Sequence, residues 1–170
     1  MNTDIKKIEY VARLQPAPAS DSEIEGFQRN IPFPLSPTFV TYCLTQNGGI
    51  PLEKNNLFIP SKRHAQYWNM CGRRFINSAG QFDVNCLYGL TVDERCSILR
   101  WTENARRVRR LPDLFWVVAS DGVGLEAVSQ LTTGNDAVYL WEPNIEPHLF
   151  QMTDSLLEFY NSLEPETFEE

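Results

Sequence analysis

The last fifty residues contain no lysine and no arginine. All 15 basic residues lie before position 121 beside 11 acids, a balance of +4, whereas 11 acids and no cation follow, a balance of −11. A region of that sign repels nucleic acid and attracts cationic partners, so nucleic acid is not an expected ligand. Histidine is nearly absent, with only His64 and His148, and the cysteines Cys43, Cys71, Cys86 and Cys96 form no Cys-x-x-Cys pair. Closely spaced ligand pairs are what a turn needs to hold tetrahedral zinc, so no metal is expected, and the thiols read as reduced and mostly buried. No phosphate loop, Gly-x-Ser-x-Gly or His-Glu helix motif accompanies the histidines, so no residue is assigned a catalytic role and no cofactor is implied. No stretch approaches the roughly 20 apolar residues that cross a bilayer. The start, Met1 to Lys7, has no apolar run after its lysines; the expectation is a cytoplasmic protein without membrane association.

What is present is core material: 42% of the 170 residues are apolar and 12% aromatic, enough for one ordinary domain. Residues 1–19 read as an extended arm ending in the loop Pro16-Ala17-Pro18-Ala19. Ser20 and Glu23 have the spacing of a capping box, in which each side chain bonds the other's backbone N–H. Ile24, Phe27 and Ile31 follow on one helical face, and Pro32 and Pro34 stop the helix. Ser36-Pro37 starts a second helix, with Phe39, Val40, Cys43 and Leu44 as its buried stripe. Asn47-Gly48-Gly49 ends it, because these residues accept the left-handed conformation that closes a helix.

Further along, Asn56 to Pro60 and Val84 to Leu90 read as strands, separated by a polar stretch with a helical turn around Gln66 to Asn69. Asp93 to Arg110 has a helical pattern with Ile98, Leu99, Trp101 and Thr102 inside. Its basic end, Arg106-Arg107-Val108-Arg109-Arg110, suits the negative pole of a helix better than a nucleic-acid site. Leu114 to Ala119 is a continuous apolar run, expected of a strand covered on both faces. Asp121-Gly122 and Gly134-Asn135 are turns around two alternating strands, Leu125 to Gln130 and Ala137 to Glu142. Asp154 caps a last short helix with Leu156, Leu157, Tyr160 and Leu163 inside. The expected fold class is α+β, a single domain at 20–163 in which helices pack on an antiparallel meander, followed by an acidic tail at 164–170.

This order of signals resembles the SUKH superfamily of bacterial immunity proteins and fungal cell-wall assembly regulators. Three segments carry the resemblance: Leu35 to Val40 with Asn47-Gly48-Gly49, then Leu87-Tyr88-Gly89-Leu90, then Leu111-Pro112 through Asp121-Gly122 and Gly134 to Val138-Tyr139-Leu140-Trp141. Pro37 stands one place later than the family's proline, and 60–82 reads as a longer insertion. The resemblance implies a non-enzymatic binding fold. Its leading expectation is an immunity protein that neutralises a cognate polymorphic toxin, for example a nuclease. The alternative it offers is a regulatory or scaffolding module of the cell-wall type. A nuclease carries a cationic surface for phosphate, and an acidic face on the inhibitor would fit it. Asp121, Glu126, Asp136 and Glu142 are the candidate partner-binding acids, with Tyr139 and Trp141 as aromatic anchors. A solvated face for the acids and a core role for both rings are the competing readings.

Overall fold

The computed structural model describes residues 4–52, 57–58, 82–144 and 148–164. The expected turn at 66–69, His64, Cys71 and nearly all of the acidic tail lie outside these residues.

Helix α1 spans Asp21–Gln28, and its start is the capping box: Glu23 N donates to Ser20 Oγ (3.3 Å) while Ser20 N donates to Glu23 Oε2 (2.8 Å). The bonds that Glu23 Oε2 accepts from Ser20 N and from Ser20 Oγ hold its carboxyl below its ordinary range. Phe27 carries the helix into the core, where its ring lies 5.6 Å from Phe39 and 4.7 Å, edge-on, from Trp116. Helix α2 spans Pro37–Thr45 with proline in its first turn. Ser36 precedes it as expected, but its hydroxyl does not cap the helix; it donates to Asp136 Oδ2 at 2.6 Å, a hundred residues away in sequence. The buried stripe also differs from the expected one. Thr38, Phe39, Tyr42 and Cys43 are inside, and Leu44 is 38% exposed. At about 100° per residue, Leu44 sits about 140° round from Phe39, whereas Tyr42 and Cys43 flank it one turn on.

At the end of α2 the chain passes through Asn47, Gly48 and Gly49, with φ of 56°, 91° and 134°. Asn47 is buried and its amide joins three segments. Nδ2 donates to Ala17 O (2.8 Å) and Leu90 O (2.9 Å), and Oδ1 accepts from Leu90 N (2.7 Å). Gly49 exchanges two backbone bonds with Leu87, both 2.9 Å. The approach leaves no room for side chains: a Cβ on Gly89 would lie 2.3 Å from Asn47 O, and one on Gly48 2.9 Å from Leu87 O. The N-terminal segment packs here too. Ile8 and Tyr10 are buried, Ile8 N donates to Gln46 Oε1, and Val11 N donates to Ile50 O.

The sheets are antiparallel. A three-stranded one has the order β2-β1-β8, from Phe82–Asp83, Leu57–Phe58 and Leu163–Glu164. The five-stranded one is a meander, β3-β4-β5-β6-β7, from Cys86–Leu87, Trp116–Ser120, Glu126–Ser129, Val138–Trp141 and Leu149–Thr153. Of the single strand expected at 84–90 only Cys86–Leu87 is strand, because the chain passes from one sheet to the other through Val84 and Asn85. β7 had no counterpart in the sequence reading. β4 is buried at all five positions, as its apolar run predicts. β5 is buried at all four positions instead of alternating.

Helix α3, Ile98–Arg109, explains that burial, since it packs on β4 and reaches β5. It begins at Ser97 and not near Asp93, whose carboxylate closes a turn with Arg95. Ile98, Thr102 and Ala105 face inward, and Leu99 is 48% exposed. The β4–β5 ladder shifts register between Val117 and Ala119, and there Val117 N donates to Thr102 Oγ1 at 3.0 Å. One turn on, Arg106 donates to Asp113 O (2.6 Å) and Phe115 O (3.1 Å), with its guanidinium 4.5 Å from the Trp116 ring centre. Helix α4, Leu156–Asn161, is capped by Ser155, whose Oγ accepts from Glu158 N (3.1 Å), and not by Asp154. Leu163 lies beyond it in β8.

Two glycine substitutions separate steric from backbone cost. Gly89→Ala forces a Cβ against Asn47 and should cost on the order of 1–3 kcal/mol by overpacking. Gly134→Ala meets no atom within 4 Å, but φ is +81°, so only the left-handed penalty of about 1 kcal/mol applies. Urea unfolding with an unchanged m-value would measure both. Equal costs would mean that the Gly89 approach is looser than described.

Candidate partner-binding surface

The six candidate residues converge on the second half of the meander. Cross-strand pairing puts Ser120, Glu126, Trp141 and Leu149 in one row, and Val117, Val128, Tyr139 and Gln151 in the next but one. Tyr139 and Trp141 are two apart on β6, so they share a face. Tyr139 is half-buried, with its ring perpendicular to Phe115 at 5.8 Å. Trp141 is only 3% exposed, and no acceptor meets its buried Nε1.

Each candidate acid has a partner inside the fold. Asp121 Oδ1 accepts from the backbone N–H groups of Val123, Gly124 and Leu125, each at 2.9 Å. Asp136 accepts from Ser36. Glu142 Oε1 accepts from Asn144 N (2.9 Å) and Nδ2 (2.8 Å). Glu126 lies against Arg109, with Oε2 3.1 Å from Nη1, and the same nitrogen donates to Gly124 O. Oε2 has no hydrogen-bond partner, so this is a charge contact. Burial pushes the Glu126 carboxyl up; Arg109 opposes the rise and Asp121 adds to it. Glu126 and Glu142 are each 5% exposed, while Asp121 and Asp136 are half-buried.

Beside this face lies a groove of about 460 Å³, lined by Arg109, Arg110 and Pro112 from the end of α3 and by Trp141, Pro143, His148 and Leu149 from the β6–β7 hairpin. The His148 and Trp141 rings meet edge to face at 5.8 Å. The sequence reading missed this groove because it needs β7 and because the arginine run was read only as a helix terminus. That run divides by helical phase: Arg106 and Arg109 turn in to backbone carbonyls and Glu126, and Arg110 caps the helix at φ 61° with its side chain exposed. Among the described residues no three His, Cys, Asp or Glu side chains gather as a metal-binding group. No helix among them is long and apolar enough to cross a membrane.

The raised carboxyl of Glu126 has a stability consequence of definite sign. A folded-state value above the unfolded one, near ~4.3, means that folding takes up a proton. Wild type should therefore gain stability relative to Glu126→Gln as pH falls from 7 through the folded value, and the gain should stop below the unfolded one. Parallel pH profiles in urea unfolding would contradict this. Glu126→Lys, which sets a second cation against Arg109, should cost roughly 3–5 kcal/mol.

No curated protein and no solved structure gives a match to this chain. The SMI1 / KNR4 family (SUKH-1) model matches residues 18–162, a span that runs from the loop before α1 to the end of α4 and includes the Asn47 junction, the meander and α3. On that match the chain belongs to the SMI1 / KNR4 family (SUKH-1).

Proposed function

We propose that this family member is an immunity protein, which binds a cognate cationic toxin and holds it inactive without catalysis of its own. The observation that carries the reading is the juxtaposition on one face of half-buried Tyr139 and the mainly apolar groove floored by Trp141. Interfaces concentrate their energy in aromatic anchors set beside pockets, since a ring contributes area at low entropy cost. Asp121, Asp136 and Glu142 act on the partner through their field and not through direct contacts, whereas the charge of Glu126 is balanced inside the fold by Arg109. A carboxylate that caps a turn with neutral N–H groups remains an anion, and the chain keeps a net charge of −7. Such a charge speeds encounter with a cationic protein, while the aromatic face sets how long the complex lasts.

The partner is to be sought among the products of the genes beside this one, each purified and mixed with the full chain. The association rate should fall steeply with salt, because exposed charges are screened beyond roughly 8 Å at physiological ionic strength. Tyr139→Ala should weaken binding at least about tenfold, mainly through faster dissociation. Val92→Ser, at a side chain 95% exposed on the turn before α3, should leave affinity unchanged. A salt-independent rate together with full affinity in Tyr139→Ala would remove this face and this mechanism.

A further inference from the structure

We propose that Cys86 and Cys96 form a site of reversible oxidation that closes to a disulfide when the protein meets hydrogen peroxide. Their sulfurs are 3.5 Å apart, with the Cys86 S–H donating to Cys96 Sγ. Cys86 is the first residue of β3, and Cys96 stands immediately before Ser97, the cap of α3. Backbone bonds hold the two segments together. Gly89 N donates to Cys96 O (3.0 Å), Ile98 N donates to Gly89 O (2.9 Å), and Gly89 forms a parallel bridge with Ser97. Closing the gap from 3.5 Å to a bonded separation of about 2.05 Å brings the sulfurs together by roughly 1.5 Å.

The two sulfurs are not equivalent. Cys96 sits one residue before the cap of a twelve-residue helix and accepts the neighbouring S–H, while Arg95 is paired with Asp93 at 2.6 Å, so that pair adds no net positive charge beside the sulfur. A helix N-terminus and a donated hydrogen bond both favour thiolate over thiol, so Cys96 is the attacking sulfur and Cys86 the resolving one. The Cys96 thiolate attacks one peroxide oxygen. An S–O bond forms, the O–O bond breaks, and hydroxide leaves and takes up the proton that Cys96 released, giving water and a sulfenic acid. The Cys86 sulfur then attacks Cys96 Sγ. An S–S bond forms, the S–O bond breaks, and the hydroxide released takes the Cys86 proton as a second water. Two thiols lose two electrons in all, and one peroxide becomes two waters. Cys86 and Cys96 are 6% and 1% exposed, and a water-sized oxidant suits such a site. The bridge would join β3 to the start of α3 over ten residues of sequence.

Full-length protein treated with hydrogen peroxide, alkylated and digested with trypsin provides the test. Of the four thiols titrated under denaturing conditions, two should be lost. Peptides 75–95 and 96–100 should be recovered joined, dithiothreitol should reverse both effects, and the treated protein should melt at a higher temperature than the reduced one. Cys86→Ser and Cys96→Ser should each abolish the joined peptide. If either variant fails to fold, the wild-type peptide map decides alone. A bridge to Cys43 or Cys71, sulfinic acid on Cys96 without a bridge, or survival of all four thiols would overturn the proposal.

Discussion

The amide of Asn47 is the contact on which the arrangement of the chain depends. One buried side chain bonds Ala17 O, Leu90 O and Leu90 N, so it ties the segment before α1, the end of α2 and the exit of β3 to one point. Asparagine suits the place because it tolerates a left-handed backbone and offers donor and acceptor together. Aspartate would present no donor to the two carbonyls, and a buried carbonyl without a partner is costly. The glycines on either side of the contact allow the backbones to approach closely enough for those bonds to form. The meander, α3 and the face that carries Tyr139 all follow from β3 being held at this junction.

The uneven charge has a structural cause as well as an electrostatic effect. A meander needs a tight turn after almost every strand, and each turn leaves backbone N–H groups off the ladder. Asp121 and Glu142 take up those groups at two of the turns, and Glu158 accepts from Asp154 N at the start of α4. Three of the eleven acids therefore stand where the chain turns. Their summed field still extends outward because backbone donors do not neutralise a carboxylate.

Features set by neighbours in sequence were legible in it. The Ser20–Glu23 box, the stop at Asn47-Gly48-Gly49, the Asp121-Gly122 turn and the buried run of β4 all rest on local rules, and all stand in the structure. Features set by distant residues were not legible. Ser36 has the chemistry of a helix cap, yet its hydroxyl is turned to donate to Asp136, which reaches it only through the fold. Glu126 reads as an outward residue of an alternating strand, but α3 crosses that side and delivers Arg109 to it. β7, Leu149–Thr153, mixes half-buried and buried positions, so its period was hidden. The candidate site inherited these errors: its aromatic pair was readable, while its groove was not.

The two ends of the described chain meet. Lys6 N donates to Asn161 Oδ1 at 2.7 Å, Lys6 Nζ donates to Leu163 O, and Leu163–Glu164 completes the small sheet beside Leu57–Phe58. Tyr160 stacks on Tyr42 at 4.3 Å and closes the core over α2. During synthesis, then, a chain released only as far as the meander has an uncovered tyrosine in its core, an unpaired edge on β1 and a lysine without its carbonyl. Native structure can be completed only when the final helix and strand clear the ribosome. Until then the apolar surface left by the missing segment is available to chaperones and to self-association.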